Sequence, residues 1–152
     1  MSICLIDTTI FCEILNVPDC TANRNEVMRH LQRHLENGTT LLLPLAVIFE
    51  TGAHIAQNGD GRLRRDTAER FVEYVREALQ GGAPWKPTPF PQNDEILIWI
   101  NNFPDVAMTE LSFADQSIIE EFHRQCRLNQ GRRVFIWSHD HHLSAYDCRP
   151  TI

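Results

Sequence analysis

Three short apolar runs organise this chain: "ICLI" (3–6), "TTLLLP" (39–44) and "RVFIWS" (133–138). Each is continuous rather than alternating, as expected of strands covered on both faces in a parallel sheet. Between them the apolar period changes to that of a helix. "TIFCEILN" (9–16) predicts a first helix that begins near Thr8 or Thr9 and stops before Pro18. "TANRNEVMRHLQRHLENG" (21–38) starts on an N-cap residue, Thr21, and ends on Gly38, with Val27, Leu31 and Leu35 as its apolar stripe. "LAVIFETGAHIAQN" predicts a helix after the second strand, with Pro44 in its first turn, where a missing N–H costs nothing. "GDG" (59–61) reads as a turn, and 66–80 as an amphipathic helix with Phe71, Val75 and Leu79 inward, ended by Gly81–Gly82. The proline-rich stretch 83–94 predicts an extended connector with room for a short edge strand. Helices follow at 94–103 and 112–131, the second closed by Gly131, and the tail 142–152 predicts a last short strand or a surface segment.

Apolar strands alternating with helices imply βαβ units with right-handed crossovers. The 152 residues suit one domain with its own core. The expected fold is therefore a single α/β domain over 1–152, in three layers, helix–sheet–helix, with a central parallel sheet. No apolar run reaches the roughly 18–20 residues of a membrane span. The N-terminus lacks a basic region, so a cytoplasmic protein without a membrane partner is expected. The five cysteines include no C-x-x-C pair, which argues against a disulfide framework and a cysteine zinc site. The net charge of −6 argues against a protein that simply coats nucleic acid. It leaves room for an enzyme whose carboxylates hold cations.

In an open parallel sheet, ligands bind beyond the carboxyl ends of the strands. Asp7 ends the first strand, and Asp140 comes just after the third. Glu50 lies less than two turns into the helix after the second strand, and Asp115 in the first turn of the helix before the third. Each has a bland reading: Asp7 as an N-cap, Asp115 with Ser112 as a variant capping box, Asp140 as a turn residue. Glu50 resists one, because five apolar residues precede it in a helix that should be largely buried. Four clustered carboxylates repel one another, and a divalent cation removes that penalty. Oxygen-only ligation favours Mg²⁺ or Mn²⁺. "DTT" stands where a glycine-rich phosphate loop would be needed, which removes the usual nucleotide-binding reading.

"CLIDTTIF", "LPLAVIFET", "LSFADQSII" and "VFIWSHDHHLSAY" resemble, in order, the four signature blocks of PIN-domain ribonucleases, most closely the stand-alone VapC-like toxins of toxin–antitoxin modules. The resemblance spans nearly the whole chain. It implies a PIN-like fold and a metal-dependent endoribonuclease that leaves a 5′-phosphate and a 3′-hydroxyl. It puts the four acids, as catalytic residues and metal ligands, on Asp7, Glu50, Asp115 and Asp140. Supporting hydroxyls fall on Thr8, shared with Thr9, and on Ser138. It also implies an RNA substrate, a cognate antitoxin and a homodimer. Two features depart from the family pattern: the segment 83–93 is longer, and His139, His141 and His142 surround the last acid. The histidines read most simply as an exposed polar turn. Arg62, Arg64 and Arg65 at "GRLRR" are the candidate RNA contacts, whereas Arg132 and Arg133 precede a strand and should lie at the opposite end of the sheet. The competing expectation is a catalytically silent domain that docks RNA or protein.

Overall fold

The computed structural model describes residues 1–150; Thr151 and Ile152, the end of the predicted tail, lie outside the described residues. The elements are β1 (Ile3–Ile6), α1 (Thr8–Ile14), α2 (Arg24–Glu36), β2 (Thr40–Leu43), α3 (Leu45–Ala56), α4 (Gly61–Gln80), β3 (Trp85–Pro87), α5 (Asn93–Ala107), α6 (Phe113–Leu128), β4 (Val134–Trp137), α7 (His141–Ser144) and β5 (Asp147–Cys148). The strands form one sheet in the order β3-β2-β1-β4-β5. Four of them are parallel and β5 is an antiparallel edge. This is an α/β fold compatible with three-layer packing.

β1 is the central strand, and all four of its residues are buried. It runs beside β2 on one side (Ile3 opposite Thr40) and β4 on the other (Ile6 opposite Trp137). The chain leaves β1 toward β2 and β3, then returns across to β4. The reversal of strand order therefore falls between β1 and β4, where an open sheet forms a crevice at its carboxyl edge. The core joins β1 and β4 to Ile10, Phe11 and Ile14 of α1 and to Ile118, Ile119 and Phe122 of α6. Phe11 meets Trp85 of the edge strand β3 edge-to-face at 5.8 Å, a favoured aromatic geometry. From α2, the His34 ring packs against Phe135 and Trp137 of β4.

Several elements differ from their sequence pattern for local reasons. α2 begins at Arg24 rather than after Thr21, because Glu13 Oε1 takes the Asn23 N–H at 2.7 Å and holds the approach to the helix. Leu35 is 45% exposed, so the buried stripe of α2 is Val27 and Leu31 alone. Pro44 is the N-cap of α3 rather than a residue of its first turn. α4 starts five residues early, because Asp60 caps it, its Oδ1 accepting the N–H groups of Arg62 (2.8 Å) and Leu63 (3.1 Å). "GRLRR" is therefore the first turn of a helix. The inward stripe of α4 is Thr67, Phe71, Tyr74 and Ala78, while Leu79 is 69% exposed. α5 continues through Pro104 and buries none of its residues. Among the described residues, no helix is long and apolar enough to cross a membrane.

Candidate active site at the carboxyl ends of β1 and β4

Asp7 follows β1 directly and is 3% exposed. It occupies the N-cap position of α1, yet its side chain makes no capping bond. Instead, Oδ2 accepts from Ser138 Oγ at 2.7 Å and from Thr9 Oγ1 at 3.0 Å. The capping explanation of this aspartate is thereby removed. Each of the two hydroxyls also receives a backbone N–H from the turn after β4: His139 N–H donates to Thr9 Oγ1 (3.0 Å) and Asp140 N–H to Ser138 Oγ (2.9 Å). The turn is thus hung on the Asp7 carboxylate through two hydroxyl relays.

Glu50 of α3 is half-buried, and Thr8 Oγ1 donates to its Oε1 at 3.1 Å. Burial pushes its carboxyl above the ordinary range; the Thr8 bond opposes this, and the charges of Asp115 and Asp7 add to the rise. The acids at the start of α6 and at the end of β1 thus both bear on Glu50 of α3. Asp115 forms the reciprocal capping box of α6, its Oδ2 accepting Ser112 N–H and its own N–H donating to Ser112 Oγ, both at 3.0 Å. Asp140 caps the short α7, its Oδ1 accepting His142 N–H at 2.8 Å. The capping-box reading of Asp115 is thus realised, whereas Asp140 proves to be a helix cap rather than a plain turn residue.

Capping does not use up either carboxylate. In all four acids one oxygen is anchored by a hydrogen bond within the described residues: Asp7 Oδ2, Glu50 Oε1, Asp115 Oδ2 and Asp140 Oδ1. The second oxygen of each carries none there, leaving one acceptor per side chain for a ligand. This oxygen-only donor set fits the chemistry of a hard divalent cation. Among the described residues, however, no three Asp, Glu, His or Cys side chains converge as a set that could hold an ion.

Glu13 of α1 escaped the sequence reasoning. It is 3% exposed, and its Oε2 is hydrogen-bonded to His139 Nε2. The signal was available: "IFCEIL" embeds an acid in apolar residues as "LAVIFE" does. His139 is exposed, as are His141 and His142, but it alone is tied to α1 by ring and backbone. Arg62, Arg64 and Arg65 are exposed on the first turn of α4. Arg64 Nη1 donates to the Asn58 carbonyl, and Arg65 pairs with Glu69. Farther along the same helix, Arg70 grips the carbonyls of Leu15 and Asn16 beyond the end of α1. That contact is at the opposite end of α1 from Asp7, so the three arginines are not brought to the acids. Arg132 lies at the amino ends of the strands, as expected, with its guanidinium on the Met1 and Ser2 carbonyls and Thr40 Oγ1.

Glu50 also lines a groove of about 560 Å³ that includes Phe49, Phe90, Trp99 and Phe113, with Arg124 and Arg127 on its wall. Phe49 is 65% and Phe90 72% exposed. Comparison with protein-family models, with curated proteins and with solved structures finds no match for this chain.

Proposed function

We propose that this protein is a Mg²⁺- or Mn²⁺-dependent endoribonuclease of PIN-like type. The observation that carries the reading is that three elements set Asp7, Glu50 and Asp115 at one edge of the sheet, with Thr8 donating to Glu50 and both Ser138 and Thr9 donating to Asp7. Acids that repel one another at a cleft cost stability, and such a cost is kept where a site uses it. The unanchored oxygens of Asp7, Glu50, Asp115 and Asp140 would hold the ion, which supplies positive charge at the phosphodiester and a more acidic water. Thr8 and Thr9, with Ser138, hold Glu50 and Asp7 in fixed orientations. The exposed aromatic rings beside Glu50 offer stacking faces to unpaired bases, and Arg127 offers a phosphate contact, whereas Arg124 is paired with Glu121, and Glu95 and Glu120 also line the groove. These replace Arg62, Arg64 and Arg65 as the expected RNA contacts. A toxin role with a cognate antitoxin, a homodimer and a cytoplasmic location belong to the same proposal.

The test is cleavage by EDTA-stripped protein with Mn²⁺ restored, offering RNA, DNA and a phosphomonoester in parallel. RNA is expected to be cut, and Asp7→Ala or Asp115→Asn to reduce the rate at least roughly a hundredfold, within the range of a lost charge-stabilising group. Wild-type rates in either variant would sink the assignment. A second reading, a silent RNA- or protein-docking domain, is favoured by the engagement of Asp115 and Asp140 as helix caps. Mn²⁺ calorimetry separates the two: a silent domain takes up no ion that Asp7→Ala abolishes.

A further inference from the structure

We propose that Glu13 and His139 are a positioning pair that fixes the turn Ser138–Asp140 against α1 and so sets Asp140 relative to Asp7. The inference rests on reading the four acids as the active site. Thr9 and Glu13 stand four residues apart on α1, hence on one helix face, and both take hold of His139. Thr9 Oγ1 accepts its backbone N–H at 3.0 Å, and Glu13 Oε2 is bonded to its ring Nε2. The residue so gripped separates Ser138, which donates to Asp7, from Asp140. A turn held at one residue by backbone and ring has little freedom to swing its neighbours.

Glu13 is a poor choice for packing. Its neighbours on α1 are Phe11, Cys12 and Ile14, all buried, and an acid among them costs stability unless both oxygens are engaged. Both are: Oε1 by the Asn23 N–H at 2.7 Å, Oε2 by His139. An apolar side chain would fill the same space without that demand. What it could not do is hold the turn that carries Ser138 and Asp140. Partners of this kind, which orient ligands without touching a substrate, typically change metal affinity or activity by roughly tenfold to a hundredfold when removed.

The experiment uses the full chain with three variants: His139→Ala, His139→Gln and Glu13→Ala. His139→Gln keeps a donor that reaches Glu13. Glu13→Ala also strips the Asn23 N–H of its acceptor and costs stability, so the histidine variants carry the test. With Mn²⁺ and RNA, His139→Ala is expected to lower kcat roughly tenfold to a hundredfold with KM within about twofold, and His139→Gln to recover most of it. Amide exchange at Asp140 and His142 is expected to quicken in His139→Ala while β1 and β4 stay protected. An unchanged kcat in His139→Ala, or a loss that His139→Gln does not relieve, overturns the pair. If the wild-type protein cuts no RNA, the reading of the site fails, and the pair stands or falls on exchange alone. Faster exchange at Asp140 and His142 then supports it, and unchanged exchange refutes it.

Discussion

Thr8 and Thr9 are adjacent, yet they serve different acids. Successive residues on a helix point about a third of a turn apart, so Thr8 reaches across to Glu50 while Thr9 turns back to Asp7 and the turn after β4. Glu50 gives a prediction at the same scale. A carboxyl whose folded-state pKa lies above its unfolded value binds a proton more readily in the fold. Its ionised form therefore costs stability at neutral pH, and the cost is relieved as pH falls through the folded pKa toward the ordinary value of 4.5. Glu50→Gln, which can still accept from Thr8, should raise the Tm at pH 7 by about 2 °C. The gain should fade as melts are taken down toward pH 4.5. A variant that melts lower than wild type at pH 7 contradicts the raised carboxyl.

At the scale of elements, α4 shows how a cap can override a turn signal. Glycines on both sides of Asp60 read as a turn, but two N–H groups on its side chain start the helix there. Asp60→Ala should cost about 1 kcal/mol, lowering the Tm by about 2–4 °C without changing cleavage, since the α4 start is remote from the acids. A cleavage defect beyond that of a less stable protein would place this turn in the substrate path. α5 shows the reverse case. Sequence reasoning predicts a helix here, and Ile96, Trp99 and Phe103 form its partly buried face, but Leu97, Ile98 and Ile100 remain 51–60% exposed. α5 packs on α6, where Phe103 meets Phe113 edge-to-face at 5.3 Å and Gln116 donates to the Trp99 carbonyl at 3.0 Å, so a single face of it is covered.

For the whole molecule, the sheet edge at β5 is held by the pairing of β5 with β4 and by arginines on Asp147. Arg133 donates to both Asp147 oxygens, at 2.8 and 2.9 Å, tying β4 to the two-residue strand β5. The Arg133 bond holds the Asp147 carboxyl below its ordinary range, with burial opposing and Arg149 assisting. A depressed carboxyl contributes stability above its unfolded value of 3.8 and loses it as pH falls through the folded pKa. The pair is largely solvent-exposed, so Asp147→Asn should cost below about 1 kcal/mol at pH 7. The difference from wild type should shrink in denaturant titrations taken progressively below pH 3.8. A constant difference across that range would mean that packing, not charge, holds β5.

Periodicity by itself determined β1, β2 and β4 and the longer helices between them, but not the edge strands or α7, because burial on two faces demands unbroken apolar runs and burial on one demands a 3.6 period. "ICLI", "TLLL" and "VFIW" are legible for that reason, and the positions of Asp7 and Asp140 beyond their strands follow from them. Only the tertiary structure decided what each acid does. Asp7 and Asp115 both sit at helix starts; one caps its helix and the other does not, because Ser138, from 131 residues away, supplies Asp7 with a donor. Glu13 and His139 meet across 126 residues. Contacts of that span depend on how β4 is laid beside β1, and local sequence carries no term for it.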